Sequence, residues 1–506
     1  MTDKYIRKIL EASVYEVAEQ SALEAAPNLS DRLGRKVLLK REDTQSVFSF
    51  KLRGAFNKIQ SLSSEVRQRG VVTASAGNHA QGVALAAEYL KIPATIVMGR
   101  NTPTIKIEAV RRRGAKVLLE GDSYDEAAAV AKTIGEEQGL TYVHPFDDPE
   151  VIAGQGTIGM EILRQHTGPL HAVFVPVGGG GLIAGVGTYI KYLRPDIRVI
   201  GVEAEGSAGM WAALNAGRRV QLAAEDLDQF ADGTAVRQVG KENFRLAKKC
   251  VDEIIRVSTD EICAAIKDVY EDTRGICEPS GALSVAGCKQ YLQRSNVADN
   301  APVVAIITGA NMNFDRLRHV SERTEIGERR EMLLGATIPE KQGSFRKFCR
   351  AIGKRSVTEF NYRCSPGAAA RVLVGIQTVA DSVDRNNLLE KLSKHYDIVD
   401  LSGNEVAVLH VRHMIGGRVS QLEDERLFRV EFPERPGALG GFLDAVGSVF
   451  NISTFHYRNH GSAYGRVLVG LQIPDLELAA FRARLKEIGY RHWEETENPA
   501  YRMFLR

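Results

Sequence analysis

Ser46-Val47-Phe48-Ser49-Phe50-Lys51-Leu52-Arg53-Gly54-Ala55 sets one lysine among small and apolar neighbours, just after a strand that ends in the charged run Lys40-Arg41-Glu42-Asp43. Desolvation disfavours the ammonium form, so an amine in such a pocket is free to form a Schiff base with a carbonyl group. A lysine that opens a helix is more often a solvated surface residue. Lys51 alone does not separate the two readings, and the rest of the chain has to.

Two loops bear on it. Thr73-Ala74-Ser75-Ala76-Gly77-Asn78-His79-Ala80-Gln81-Gly82 follows the apolar pair Val71-Val72 and runs into a helical pattern through Val83, Leu85, Ala86 and Ala87. A small-residue loop entering a helix offers free backbone N–H groups, which suit a carboxylate, although an ordinary helix start looks the same. Val173-Phe174-Val175-Pro176-Val177 then leads into Gly178-Gly179-Gly180-Gly181-Leu182 and a helix through Ile183, Val186, Ile190 and Leu193. Buried strand, glycine turn and helix start make a site for a phosphate. The spacing of Gly179, Gly181 and Ala184, with Glu203 about 20 residues on, also fits a dinucleotide fingerprint, so a nicotinamide enzyme is a rival reading. That rival leaves Lys51 and the Asn78 loop unexplained. A last strand, Val303 to Ile307, ends in the hydroxyl of Thr308 before Gly309-Ala310-Asn311.

Ser49 to Ala55 resembles, at every position, the Ser-Phe-Lys-x-Arg-Gly-Ala signature of the threonine dehydratases, fold type II enzymes that use pyridoxal phosphate. The resemblance implies that Lys51 carries that cofactor and Asn78 contacts its ring hydroxyl. It implies that the loop Ser75, Ala76, Gly77, Asn78 and His79 holds the substrate carboxylate. Gly178, Gly179, Gly180, Gly181 and Leu182 would cup the cofactor phosphate, and Thr308 would face the pyridine nitrogen. A neutral hydroxyl there does not hold the nitrogen protonated, which favours β-elimination over transamination. Biosynthetic relatives usually carry serine at this place; Thr308 keeps the hydroxyl and adds a methyl. Glu278-Pro279-Ser280-Gly281-Ala282 resembles a family segment near the ring, and Arg53 reads as structural or pocket-edge.

What the resemblance implies for activity is the deaminating dehydration of L-threonine to 2-oxobutanoate and ammonia, with L-serine to pyruvate as a second use, at the first step of isoleucine biosynthesis. Lys51, displaced from the cofactor by threonine, would take the Cα proton. A serine racemase or catabolic dehydratase would share the core, but racemising relatives carry a hydroxyl where this chain has Ala76. An amino-acid sensor without catalysis is a further alternative, opposed by the intact lysine motif.

Length and composition set wider bounds. The chain's 506 residues suffice for two or three domains, and 44% hydrophobic content is that of a globular protein. With 66 basic against 63 acidic residues, a formal +3, neither nucleic acid nor an anionic membrane is indicated as partner. Arg111-Arg112-Arg113 and Glu328-Arg329-Arg330-Glu331 read as solvated helix faces. The six cysteines, Cys250, Cys263, Cys277, Cys288, Cys349 and Cys364, form no C-x-x-C pair, which argues against a zinc site and fits reduced thiols; no metal site is expected. No apolar leader or membrane-length run is evident, and the expected location is cytoplasmic.

In chain order, residues from about 4 to 25 carry helical periodicity, and Val37 to Asp43 is a strand. Helix and strand then alternate to Tyr142-Val143, a pattern of parallel strands with crossover helices. Asp147 to Gly159, with Pro149, Gly154 and Gly156, reads as a break before a helix through Met160, and a second αβ stretch starts at His171. His79 and His144 are read as hydrogen-bonded structure rather than proton carriers. The expected fold is therefore α/β: a two-lobed fold type II enzyme of the tryptophan synthase β kind over residues 1–320, with a linker at 321–331.

Beyond Met332 the chain repeats itself. Ile338-Pro339-Glu340-Lys341-Gln342-Gly343-Ser344-Phe345 recurs as Phe432-Pro433-Glu434-Arg435-Pro436-Gly437-Ala438-Leu439. Phe360-Asn361-Tyr362-Arg363 recurs as Phe455-His456-Tyr457-Arg458, and Arg371-Val372-Leu373-Val374-Gly375 as Arg466-Val467-Leu468-Val469-Gly470. The pair resembles two α+β ferredoxin-like, ACT-like regulatory subdomains, 332–410 and 426–500, of the biosynthetic dehydratases. By that resemblance isoleucine inhibits, valine activates and the enzyme is a homotetramer; a purely structural duplication is the alternative.

Overall fold

The computed structural model describes residues 2–100, 102, 104–121, 124–223, 227–294, 300–314, 316–327, 331–363, 369–378, 382–404, 407, 412, 422–433, 438–446, 449–458, 464–488 and 490–498. Cys364, Glu328 to Arg330, Glu434 to Gly437 of the second turn, and the expected subdomain ends at 410 and 500 lie outside these residues. The chain divides into two compact units, Met1–Thr324 and Glu325–Arg506. A helix, Arg316–Gly327, runs through the point of division, within the segment expected as linker.

The first unit holds two sheets. The larger has six strands in the order Leu23–Ala25, Val37–Arg41, Val303–Ile307, Ala172–Pro176, Arg198–Ala204 and Glu253–Val257, all parallel except the first. The smaller has four parallel strands, Lys116–Leu119, Ala94–Met98, Val71–Ala74 and Thr141–Tyr142. Val37–Arg41, Val71–Ala74, Ala172–Pro176 and Val303–Ile307 are buried at every residue, as strands covered by helices on both faces must be. The lobes are not successive in sequence, because the N-terminal strands complete the larger sheet.

Two sequence expectations need correction. The helical pattern of residues 4–25 resolves into a helix Thr2–Leu10, a short 3-10 turn Val14–Glu16 and the strand Leu23–Ala25, which pairs antiparallel with Val37–Arg41. The expected break at Asp147 to Gly159 is instead the first part of a helix, Pro149–Gln165, capped by the Asp148 carboxylate and started by Pro149. Its glycines serve close packing. A Cβ on Gly154 would lie 2.7 Å from the Arg53 carbonyl, and one on Gly185 would lie 2.7 Å from the Gly156 nitrogen. This helix thus lies backbone to backbone with the lysine helix Lys51–Gln60 on one side and the glycine helix Gly181–Leu193 on the other. That shared support fixes Lys51 relative to the glycine turn.

The second unit is one eight-stranded antiparallel sheet made of two βαββαβ repeats. In the first, Glu331–Pro339, Val357–Arg363, Ala369–Gln377 and Asp397–Asp400 are the strands, with helices Ser344–Ile352 and Ser382–Ser393. In the second, Glu425–Pro433, Asn451–Arg458, Tyr464–Gln472 and Arg491–Glu494 alternate with Ala438–Val446 and Leu478–Ile488. This is the doubled ferredoxin-like order expected from the repeats. The recurring Phe-x-Tyr segments are what join them: Phe360 pairs with Tyr457 and Tyr362 with Phe455 across the junction. Phe345 packs its ring 4.8 Å from Phe360 and 5.3 Å from Phe455, so one aromatic core spans both copies. Among the described residues no helix is long and apolar enough to cross a membrane.

Candidate active site

Lys51 opens its helix because the chain before it is pinned to the last strand of the larger sheet. Ser49 bridges Gly309, the Phe50 N–H donates to the Thr308 carbonyl at 3.2 Å, and the Ala310 N–H donates to the Phe48 carbonyl at 2.9 Å. Phe48 sits at φ 53° to make the turn. The Lys51 amine then enters a cleft lined also by Phe50, Asn78, Phe146, Gly178 to Leu182, Thr234, Glu278, Ser280 and Thr308, with about 560 Å³ of empty space counting its open mouth. Burial pushes the Lys51 amine down to about 8, against the attraction of Glu278. Among the described residues it donates to the Pro145 carbonyl at 3.2 Å.

Facing it is the glycine turn. Gly180 takes φ 92°, a left-handed value that favours glycine, and caps the helix Gly181–Leu193, whose first N–H groups have no partner within the helix. Protein atoms already crowd every glycine here. A Cβ on Gly178 would stand 2.8 Å from the Thr234 backbone, one on Gly179 would enter the Phe146 ring, and one on Gly181 would stand 2.9 Å from the Phe146 carbonyl. Asn243 holds the turn from behind, its Nδ2 donating to the carbonyls of Gly179 at 2.8 Å and Phe146 at 3.1 Å.

The Asn78 loop supplies the third wall. Asn78 begins the helix Asn78–Leu90 and lines the cleft; its Nδ2 donates to Glu278 Oε1 at 2.6 Å. Ser75, Ala76 and Gly77 lie part-exposed before this helix and do not line the same cleft. His79 is buried behind it, Nε2 bonded to the Val143 carbonyl at 3.0 Å, and burial pushes its ring down to about 3. His144 is likewise held neutral by burial, at about 4, with Nδ1 accepting from the N–H groups of Phe146 and Asp147. Burial thus disfavours the protonated form of both rings. Thr308 is buried at the floor, its hydroxyl donating to the Ser280 carbonyl at 3.2 Å.

Glu203, the acid of the rival fingerprint, is fully buried and accepts from the N–H groups of Met210 and Trp211 at 2.8 Å each, capping the helix Gly209–Ala216. It is 0% exposed and both oxygens face backbone N–H groups of that helix, so it presents no acceptor to a ribose. Reading the sequence passed over Phe146, Thr234 and Asn243, which carry no local signal. Glu278 carries a sequence signal, a lone acid entering the apolar helix Pro279–Arg294, and burial raises it to about 8.

A second, smaller hollow lies in the other unit, between its repeats. Lys341, Gly343, Ser344 and Arg346 line it from the first turn, Tyr362 from the first repeat's sheet, and Phe450 to Ile452 from the second repeat.

The chain matches the family described as pyridoxal-phosphate dependent enzymes over residues 15–309, and the C-terminal regulatory domain of threonine dehydratase twice, over 322–411 and 416–505. It is 54% identical to the L-threonine dehydratase biosynthetic IlvA of Burkholderia multivorans over 99% of both chains. It is 51% identical to the corresponding Escherichia coli protein, over 99% of this chain and 97% of that one. Among solved structures, the processed form of threonine deaminase isoform 2 from Solanum lycopersicum is 51% identical, with a TM-score of 0.62 over 64% of this chain and 93% of that one. Maize serine racemase is 32% identical, with a TM-score of 0.59 over 62% of this chain and 96% of that one.

Proposed function

The chain belongs to the pyridoxal-phosphate dependent enzyme family and carries the doubled regulatory domain of threonine dehydratase, and on that premise we propose that it converts L-threonine to 2-oxobutanoate and ammonia, and L-serine to pyruvate, as the first step of isoleucine biosynthesis in the cytoplasm. The observation that carries this reading is the desolvated Lys51 amine entering a cleft across from the glycine turn and helix start at Gly178 to Leu182. Residues 1–320 are the catalytic part, 321–331 the linker, and 332–410 and 426–500 the regulatory subdomains.

The residues present suit pyridoxal phosphate. Lys51 would offer an amine to its aldehyde, the N–H groups of Gly178 to Leu182 donors to its phosphate, Asn78 an amide to its ring oxygen, and Thr308 an uncharged hydroxyl, turned from the Ser280 carbonyl, to its ring nitrogen. When bound, the cofactor supplies the electron sink that makes the substrate's Cα–H acidic. Lys51, brought to about 8, can take that proton near neutral pH and hold it. Of the expected carboxylate loop only Asn78 lines the cleft, so a substrate carboxylate would be held at the start of the helix Asn78–Leu90, where the first N–H groups have no partner within the helix. An assay of 2-oxo acid release from L-threonine and L-serine tests the reading, and D-serine formation without 2-oxo acid would place the chain with the racemases instead.

The tail senses isoleucine as inhibitor and valine as activator, in a homotetramer. The hollow between the repeats supports this: Lys341, Arg346 and the first N–H groups of Ser344–Ile352 suit a carboxylate, and Phe345, Tyr362, Phe450 and Ile452 suit an apolar side chain. Isoleucine must bind the low-activity state better by about 1–3 kcal/mol for ordinary coupling. Threonine saturation curves that do not move with isoleucine, in a protein that binds none by calorimetry, would leave the tail structural.

A further inference from the structure

Glu278 and Asn78 are 200 residues apart in sequence and stand on different lobes, yet they are joined in a short chain of hydrogen bonds whose direction can be read link by link. The chain starts at the Val47 carbonyl, which accepts from Asn311 Nδ2 at 2.8 Å. A carbonyl can only accept, so the Asn311 atom is its nitrogen. The same nitrogen lies 2.7 Å from Asn78 Oδ1, which must therefore be the oxygen of that amide. Asn78 then meets Glu278 Oε1 with its nitrogen, at 2.6 Å. A protonated Glu278 still has a carbonyl oxygen to accept with, so the direction does not depend on its charge. Glu278 itself is 4% exposed and anchored through its own N–H to the Gly309 carbonyl at 3.0 Å.

One N–H of Asn78 is thus committed to Glu278 and its oxygen to Asn311, which leaves the second N–H as the group the amide can turn to the cleft. We infer that Glu278 and Asn311 are positioning residues that act through Asn78, fixing its amide so that a bound ligand's ring oxygen meets a donor and is stabilised as the anion. This rests on the pyridoxal phosphate reading of the cleft. A reversed amide would present its carbonyl and disfavour the anion. The same bonds tie the helix Asn78–Leu90 of the smaller lobe to the floor of the larger one and to the loop before Lys51.

The test uses the full-length holoenzyme and reads the bound cofactor's absorption at fixed pH, as the ratio of its long-wavelength band, from the deprotonated ring oxygen, to its short-wavelength band. Asn78→Ala removes the donor and should lower that ratio about tenfold, one pK unit of ring-oxygen affinity. Asn311→Asp replaces the donor to Asn78 Oδ1 by an acceptor, reverses the amide and should lower the ratio at least as far. Glu278→Ala should lower it in the same direction, and Glu278→Gln, which keeps an acceptor, should restore it to near the wild-type value. Asn311→Ala serves where Asn311→Asp does not fold. A ratio that falls for Asn78→Ala while Glu278→Ala and both Asn311 variants stay at the wild-type value overturns the positioning role and leaves the site standing. A ratio unmoved by Asn78→Ala, with cofactor still bound, overturns the assignment of Asn78 to the ring and the inference with it.

Discussion

Arg53→Met should be among the most damaging substitutions in the first unit, although Arg53 does not line the cleft. Arg53, Lys40, Glu42 and Glu161 are each at most 1% exposed. The guanidinium meets Glu42 through Nε and Nη2 at 2.8 Å each and Glu161 through Nη1 at 2.6 Å and Nη2 at 3.1 Å; Lys40 reaches Glu161 at 2.6 Å. Two cations balance two carboxylates, and further bonds to Thr157 and the Glu19 carbonyl complete the fork. Burial alone would lower the guanidinium's pKa, but the carboxylates of Glu42 and Glu161 overrule it and raise it. Removing Arg53 leaves Glu42 buried without a cation, held only by the Ser21 hydroxyl and the Gln45 amide, which costs about 3–5 kcal/mol, a large share of the roughly 5–15 kcal/mol that holds a typical protein folded. With a urea slope of about 1–3 kcal/mol per molar, the midpoint should fall by about 1 M or more. Of the two tryptophans, Trp211 lies in the first unit and Trp493 in the second, so Trp211 fluorescence in a Trp493→Phe background follows this unit. Arg53→Met/Glu42→Gln removes the charges together and should recover most of the loss. A single variant within about 0.5 kcal/mol of its parent, the range of surface substitutions, would refute the reasoning.

Lys51→Ala should abolish both the visible absorption of bound cofactor and 2-oxo acid release; borohydride-reduced protein that still yields a labelled lysine elsewhere would move the anchor. Because burial brings Lys51 to about 8, capture of pyridoxal phosphate by the apoprotein should rise about tenfold per pH unit below that value and then level off, and levelling only near about 10 would contradict the burial argument. Glu278 is raised by burial from 4.5 to about 8, so within that window the folded state keeps a proton that the unfolded state releases. Stability of the apoprotein should therefore fall as pH rises from about 4.5 to about 8, by at most a few kcal/mol, and Glu278→Gln should flatten that fall in urea titrations. Removing residues from about 330 onward should leave an active core that isoleucine does not inhibit, checked by comparing inhibition curves of the two lengths.

The lysine segment and the tail repeats were legible because each is local: a motif of seven residues, and a pattern that returns within the chain. The pairing of Phe360 with Tyr457 shows why the repeat was such a strong signal, since the recurring segment is itself the junction between copies. Tertiary contacts hid the rest. Val37–Arg41 pairs with Val303–Ile307 across most of the first unit's length, and nothing in either strand names the other. The helix Pro149–Gln165 was hidden by its own glycines, which weaken helices in isolation but here allow backbones to touch at Gly154 and Gly156. Residues 4–25 misled in the opposite way, because apolar spacing continued past Leu10 into a segment that leaves the helix and ends in an edge strand.

The glycine turn has a structural reason for its composition besides the one its sequence suggests. From sequence, glycine is needed at Gly178 to Gly181 so that a phosphate can approach the backbone. In the structure the added Cβ atoms at Gly178, Gly179 and Gly181 meet Thr234 and Phe146, and Gly180 has a positive φ besides. The protein's own walls close on the turn, and this alone calls for glycine there. A substitution there therefore strains the apoprotein before any ligand arrives, and lost cofactor affinity alone does not identify the phosphate's seat. Gly180→Val, at φ 92° and facing Met210 and Asn243, should lower apoprotein stability by about 1–3 kcal/mol in urea. The part of its effect that belongs to the ligand is the further loss that appears only when inorganic phosphate or pyridoxal phosphate is titrated in. If the wild-type apoprotein gains no urea stability from inorganic phosphate, while Gly180→Val is as stable as wild type, then neither the packing argument nor the phosphate argument accounts for four consecutive glycines.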